Sequence, residues 1–233
     1  MAFKIETIEP KDNRGIVMAF AVILLWLMLL LFNFNYTISW SNPLTYVLFF
    51  IQIHLFTGLF ITAHDAMHGT IYLKNKHINR WIGTVCLTLF AYNSYALLLP
   101  KHHQHHRFAA SEQDPDYHPP GFWRWYLFFL KEYISLRQIV LMAITFNVLK
   151  SLFPTENIVF YYIAPAILST LQLFYFGTYL PHKGEHTADN VHKAHSQPKN
   201  HLWAFVSCYF FGYHYEHHDS PQTPWWLLHT KKK

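Results

Sequence analysis

The sequence predicts an all-α integral membrane protein with about four transmembrane helices, additional interfacial or re-entrant helices, and a histidine-rich cap on the cytoplasmic side. Charged residues make up only 13% of the 233-residue chain, and hydrophobic residues make up 52%. A soluble domain carries about 25% charged residues. Histidine is unusually frequent, with 18 copies. Because no linker or internal repeat divides the chain, we expect one membrane-embedded domain over residues 1–233.

Four apolar stretches approach the ~20 residues that span hydrocarbon. The first covers residues 16–32, which hold no charge, and the second covers about 43–63. The third, at about 138–153, is the shortest. The fourth, at about 158–180, contains Pro165, which we expect to kink the helix. The segment before the first span is too charged for a signal peptide and no cleavage site follows, so we expect an uncleaved span.

Residues 81–99 form another apolar stretch, but one crossing there would place the histidines before and after it on opposite faces. Two crossings need roughly forty residues, and nineteen are present. We therefore expect a re-entrant or interfacial hairpin that bends near Asn93 and Ser94. Residues 122–137 mix aromatic side chains with a few cations, which predicts an interfacial amphipathic helix.

Charge predicts the orientation. Of the 18 Lys and Arg residues, all but Lys150 lie on one side of the proposed spans. The positive-inside rule places that side, with both termini, in the cytoplasm. The chain carries no motif for nucleic acid, so we expect none as a partner. Its two cysteines, Cys86 and Cys208, form no paired framework, which excludes a disulfide scaffold or a thiolate zinc site.

Three histidine clusters follow apolar stretches on the predicted cytoplasmic face. They read "HDAMH", "HHQHH" and "HYEHH" and contain eight candidate metal ligands: His64, His68, His102, His105, His106, His214, His217 and His218. Within each cluster the spacings are i, i+3 and i+4, which share one face of a helix. Burying eight unpaired imidazoles would cost much free energy, so a metal site is favoured over polar surface turns.

Eight imidazoles are too many for one ion and are enough for two. Imidazole suits zinc, copper, iron and nickel, so the ligand type does not choose among them. The zinc hydrolase motif HExxH is absent, and an apolar protein favours a lipid-soluble substrate. A di-iron oxygenase that uses O₂ fits both facts. Metal transport is disfavoured, because only His54 lies well within a span.

The order of the three boxes resembles the membrane di-iron desaturase and hydroxylase superfamily. "FGTYLPH" and "TPWW", together with "DPDY" at 114–117, are similar to bacterial and cyanobacterial β-carotene ketolases. The resemblance runs from about residue 45 to 228. The chain departs from the family pattern at His195, where arginine is common, and at Phe210, where many members have histidine.

The resemblance implies two non-haem irons as cofactor, O₂ as co-substrate and oxidation of C4 of a β-ionone ring. The reaction would convert β-carotene to echinenone and canthaxanthin, and zeaxanthin to astaxanthin. An external electron donor of the ferredoxin type is implied, since the chain has no flavin, dinucleotide or iron–sulfur motif. Carotenoid 3-hydroxylation, and fatty-acyl desaturation or hydroxylation, remain open on the same scaffold.

The resemblance also implies a ninth ligand, His182 in "LPHKG". By analogy, one ion would take His64, His68, His102, His106 and His218, and the other would take His105, His182, His214 and His217.

Several other residues are expected to support the ligands. By resemblance, His192 would support the site without binding metal. Metal-bound imidazoles donate their other N–H to an acceptor, and Asp65, Glu216 and Asp219 are acceptors close in sequence, with Asp65 the strongest candidate. Their alternative role is solvation of helix ends. The acidic residues of the loop at 114–117 are expected to cap or turn that loop.

Overall fold

A computed structural model describes residues 12–118 and 121–233, and this part of the chain is helical without strands. The N-terminal segment, which the sequence places in the cytoplasm, lies outside the described residues. In chain order the helices are α1 (Arg14–Asn35), α2 (Pro43–Met67), α3 (Lys76–Leu89), α4 (Tyr95–Phe108), α5 (Phe122–Tyr133), α6 (Leu136–Lys150), α7 (Thr155–His182), α8 (His201–Cys208), α9 (His214–Asp219) and α10 (Trp225–Leu228).

Three of these helices are long and apolar enough to cross a membrane. They are α1, α2 and α7, with 22, 25 and 28 residues. They correspond to the first, second and fourth spans that the sequence predicts. Helix α2 continues to Met67, beyond the predicted limit near residue 63, so His64 lies in its last turn.

The third predicted span is shorter than expected. Helix α6 has 15 residues, which at 1.5 Å per residue is about 22 Å, against the ~30 Å of a hydrocarbon core. A capping box sets its start: the Ser135 hydroxyl accepts from the Gln138 N–H, and the Gln138 side chain accepts from the Ser135 N–H. The same cap ends the predicted interfacial helix early, because α5 stops at Tyr133 and Arg137 belongs to α6.

The predicted hairpin is present as α3 and α4, which are separated at residues 90–94. Asn93 and Ser94 lie in the bend, as expected. The Asn93 side-chain oxygen accepts a hydrogen bond of 2.8 Å from Nε2 of Gln138. This contact joins the bend to the first turn of α6.

Helix α7 contains two π-helical turns, and a proline follows each. The first turn, Val159–Ile163, precedes Pro165, and the second, Tyr175–Tyr179, precedes Pro181. A proline in an α-helix lacks an N–H and collides with the carbonyl four residues earlier, and a wider turn accommodates both defects. Pro165 therefore does distort the helix, although the helix continues to His182.

Buried polar contacts fix the helices at the end of the bundle where α1 stops. Asn157, at the start of α7, is 1% exposed. Its Nδ2 donates to the carbonyls of Asn33 at 2.7 Å and Tyr36 at 2.6 Å. Unpaired backbone carbonyls in hydrocarbon cost several kcal/mol, so these bonds hold the end of α1 against the start of α7.

Candidate metal centre

The nine candidate ligands come together at the other end of the bundle, on four helices. His64 lies in the last turn of α2, and His68 directly follows that helix in helical conformation. The second box lies on α4, His182 is the last residue of α7, and the third box lies on α9. The i, i+3 and i+4 spacings thus lie on helices, as the sequence predicts.

Four histidines form a first group: His64, His68, His102 and His106, whose candidate ligand nitrogens all lie within 4.8 Å of one another. Nε2 of His68 and Nε2 of His102 are 2.7 Å apart. His217 adjoins this group, since its Nε2 is 3.1 Å from Nε2 of His106 and its ring centroid is 4.6 Å from that of His64.

Four others form a second group: His105, His182, His214 and His218, again with nitrogens within 4.8 Å. All four are buried. Nε2 of His214 and Nε2 of His218 are 3.0 Å apart, and the ring centroids of His105 and His182 are 4.9 Å apart. The rings of His106 and His218 stack at 4.3 Å, so the two groups are in contact.

The structure corrects the division of ligands that analogy suggested. His218 lies with the second group and His217 beside the first, the reverse of the expected order. The boxes fix which histidines share a helix face. They do not fix how α9 is rotated against α4, which decides the partner of each ring.

The arrangement fits two metal ions. Both ring nitrogens of His64, and Nε2 of His105 and of His182, are buried without a hydrogen-bond partner. A buried polar atom without a partner is costly, and a metal ion would supply the missing partner. Bonds of about 2.0–2.1 Å to one metal place adjacent ligand nitrogens about 3 Å apart, which matches the facing Nε2 pairs at 2.7–3.1 Å.

Burial keeps most of these imidazoles neutral, which metal ligation requires. Burial, together with the nearby charge of His103, lowers the pKa of His68 to about 3. Burial and the neighbouring histidines hold the pKa values of His214 and His217 well below the usual range. His105 differs. Burial would lower its pKa, but the charges of the two nearby aspartates outweigh burial and raise it.

Two ligands are oriented by hydrogen bonds from the nitrogen that faces away from the group. Nδ1 of His105 donates to the Asp114 carboxylate, with both oxygens at 3.0 Å, and Nδ1 of His182 donates to the Lys193 carbonyl at 2.7 Å. Each bond leaves Nε2 as the free ligand atom. Sequence reasoning missed this role of Asp114. The loop role it predicted is also present, since Asp114 accepts from the Ala110 and Asp116 N–H groups.

Asp65 has a different partner from the one expected. Its Oδ2 accepts from the Trp225 N–H at 2.8 Å, while its Oδ1 is 3.5 Å from Nδ1 of His64, which forms no hydrogen bond among the described residues. The bond to Trp225 joins the start of α10 to the last turn of α2. Asp65 therefore holds the C-terminal segment over the site.

The other expected supporting residues also have partners of their own. Glu216 accepts from the Ser196 hydroxyl and, at 3.0 Å, from Nζ of Lys232. Nε2 of His192 is 3.6 Å from Oδ1 of Asp219, and its ring centroid is 6.1 Å from that of His218. These contacts connect α9 to its surroundings and involve no ring nitrogen of either group.

Asp114→Asn should reduce iron affinity about 10- to 100-fold, the usual effect of removing the partner of a ligating histidine. The amide cannot supply the charge that holds the His105 ring. Glu112→Gln is the matched control, because Glu112 lies two residues away and is exposed. Iron titration of the purified variants measures the effect, and equal affinities would show that Asp114 only shapes the loop.

A cavity of about 540 Å³ lies between the histidine groups and the membrane-facing helices. His64, His102 and His105 line one end of it. Most of the remaining wall is apolar and comes from α2, α5, α6 and α7. Ile139 and Ile167 line it too, and these side chains are 56% and 58% exposed on the outer surface. An apolar molecule in the cavity would thus lie between the metal centre and the lipid.

The sequence model of the fatty acid desaturase family matches residues 38–145 and 120–233, which together cover most of the chain. The chain belongs to the fatty acid desaturase family. The resemblance predicted from the histidine boxes is therefore confirmed at the level of the superfamily.

Relatives within this family carry more specific names. The chain is 40% identical to "Beta-carotene 4-ketolase 3" of Haematococcus lacustris over 77% of this chain and 59% of the relative. It is 36% identical to "Zeaxanthin 4-ketolase" of Chlamydomonas reinhardtii over 93% of this chain and 53% of the relative. It thus spans little more than half the length of these algal relatives. It is also 36% identical to "Beta-carotene ketolase" of Paracoccus sp. (strain PC1), over 91% of this chain and 90% of the relative. No solved structure matches.

Proposed function

We propose that this protein is a carotenoid 4-ketolase, which oxidises C4 of β-ionone rings with O₂ at a non-haem di-iron centre. One observation carries the proposal: two adjoining histidine groups open onto an apolar cavity whose wall includes the exposed side chains Ile139 and Ile167. The names of the relatives support a carotenoid as the substrate class. The products are echinenone and canthaxanthin from β-carotene, and astaxanthin from zeaxanthin.

The nine histidines hold the two irons. When bound, the irons activate O₂ for oxidation of an unreactive C–H bond. The chain orients the ligands through Asp114 and the Lys193 carbonyl. Through Asp65, it holds the C-terminal segment over the site. Burial of the second group and of His64 limits the access of bulk water to the centre.

The cavity positions the carotenoid. The ring lies at the histidine end, against Phe60, Phe90 and Phe211, and the polyene leads past Ile139 and Ile167 towards the bilayer. An apolar wall suits a substrate that is dissolved in lipid. The membrane itself is therefore the source of substrate and a lasting partner of the protein.

The site also supports a multi-pass topology with four crossings. Helix α7 starts beside the end of α1, through Asn157, and finishes at the metal centre with His182. Helix α4 lies at the centre too. The chain between α4 and α7 must therefore return to the opposite face, and α6 makes that crossing. Local thinning of the bilayer accommodates its short length, and outward residues such as Ile144, 55% exposed, face lipid.

Four crossings place both termini and the metal site on one side, the cytoplasmic side by charge bias. Each oxidation consumes electrons that this chain does not store, so an external carrier of the ferredoxin type is required. The basic balance of the chain, net +5, favours an acidic carrier on that side.

Expression in cells that accumulate β-carotene, followed by separation of the pigments, tests the function. We expect echinenone and canthaxanthin, and no ketone from a His105→Ala variant. Zeaxanthin without any ketone would instead identify a 3-hydroxylase. Unchanged β-carotene with altered membrane fatty acids would identify an acyl-chain enzyme.

A further inference from the structure

Most polar side chains that line the cavity already have hydrogen-bond partners. The Tyr126 and Thr170 hydroxyls are 2.8 Å apart, and Thr170 also donates to the Ile167 carbonyl. The Tyr133 hydroxyl donates to Asp116. Gln138 is bonded to the hairpin bend and to its own capping box. These groups stabilise the walls.

Thr178 is different. It lines the cavity and is only 4% exposed. Its hydroxyl has no hydrogen-bond partner within the described part of the chain. A hydroxyl on a cavity wall that forms no hydrogen bond within the protein is available to donate to or accept from a ligand in that cavity.

The position of Thr178 places this hydroxyl at the reacting end of the cavity. It lies in the second π-helical turn of α7, four residues before His182. The preceding residue, Gly177, allows the Phe211 ring to pack so closely that a Cβ would come within 2.3 Å of it. Phe211 in turn lies against both histidine groups, with ring centroids 4.8 Å from His64 and 5.0 Å from His214.

We propose that the Thr178 hydroxyl binds the hydroxyl of the 4-alcohol that the first oxidation produces, and so retains that alcohol for the second. The inference rests on the proposed ketolase function. Thr178 is a positioning residue: by holding the new hydroxyl against α7, it leaves the remaining C4–H directed at the metal centre.

Retention of the alcohol favours completion of the two oxidations at one carbon. In the first, the ring CH₂, O₂, two electrons and two protons give CH–OH and water. In the second, the alcohol, O₂, two electrons and two protons give the geminal diol and water, and the diol loses water to form the ketone. The ferredoxin-type carrier supplies the electrons, and the solvent supplies the protons. Between the two rounds, the alcohol either stays in the cavity or leaves as product.

Thr178→Val keeps the shape of the side chain and removes the hydroxyl. In β-carotene-producing cells, we expect the ratio of 4-hydroxy to 4-keto products to rise about two- to tenfold, the range for loss of one neutral hydrogen bond. The total amount of C4 oxidation should change less than this ratio, because the substrate of the first oxidation carries no hydroxyl for Thr178 to bind. Thr178→Ser restores a hydroxyl and should return the ratio towards the wild-type value.

Thr170→Val is the matched control, since Thr170 is a cavity hydroxyl on the same helix, eight residues earlier and paired with Tyr126. It should leave the ratio of alcohol to ketone unchanged. If Thr178→Val does not accumulate in membranes, Thr178→Ala removes the same hydroxyl. A wild-type ratio in an active hydroxyl-less variant overturns the assignment. Absence of ketone from the wild-type protein would instead overturn the ketolase function.

Discussion

A chain that ends at Tyr213 should bind no iron and form no ketone. The deletion removes His214 and His218 from the second group and His217 from beside the first, so both metal positions lose ligands. It also removes Trp225, whose N–H bonds to Asp65. The three helices that are long and apolar enough to cross a membrane lie before the deletion, so we expect the protein to remain in the membrane fraction. Iron content per chain measures the effect.

Two controls separate ligand loss from loss of the tail. A chain that ends at Thr230 keeps all nine histidines and loses only the lysines after them. Their ion pair, Lys232 with Glu216 at 3.0 Å, is largely buried, with each side chain 16% exposed, but it involves no ring nitrogen of either histidine group, so this chain should keep its iron. Replacing all three α9 histidines by alanine in the full chain should remove the iron as the deletion does. Retention of two irons by the deleted chain would show that the third box is not part of the metal site.

His182→Ala should remove the iron of the second group and abolish ketone formation. Nε2 of His182 is buried without a partner, and its Nδ1 is already held by the Lys193 carbonyl. Alanine supplies no ligand atom. We expect about one iron per chain, because the first group does not use this residue.

His186→Ala is the matched control for His182. His186 lies four residues later and is half-buried, with its Nε2 3.4 Å from the His182 carbonyl and its ring stacked on that of His195. It should keep two irons and ketone formation. Full iron content and full activity in His182→Ala would exclude the ninth ligand.

Local pattern was enough to predict most of the helices and to single out eight of the nine histidines that the fold brings together. Apolar runs predicted α1, α2 and α7, because spanning hydrocarbon demands length and low charge whatever the tertiary fold. The HxxxH and HxxHH spacings predicted shared helix faces, because helix periodicity is local. His182 has no such spacing, and only the family resemblance indicated it.

The features that sequence reasoning missed depend on contacts between distant segments. Asp65 and Trp225 are 160 residues apart, and nothing in either segment specifies the other. The rotation of α9 against α4 decides which histidine group His217 joins and which His218 joins, and the sequence does not specify that rotation. Asp114 could have been recognised as a hydrogen-bond partner of His105, since it lies nine residues later in the next loop and its carboxylate can reach the His105 ring. A role in shaping the turn was a sufficient explanation for an aspartate at that position.

These contacts change the interpretation of the C-terminal segment. His217 adjoins the first group and His218 belongs to the second, so α9 contacts both metal positions. Glu216 points away from them and holds Ser196 and Lys232. The segment covers the two histidine groups, and the Asp65–Trp225 bond fixes it against α2.

The iron content of the purified, iron-loaded full chain tests the central claim most directly. The two adjoining histidine groups predict two irons per chain, with a Mössbauer spectrum of paired non-haem iron, in the same preparation that converts β-carotene to ketone. A preparation that forms ketone with one iron per chain, or with zinc in place of iron, would contradict the di-iron centre.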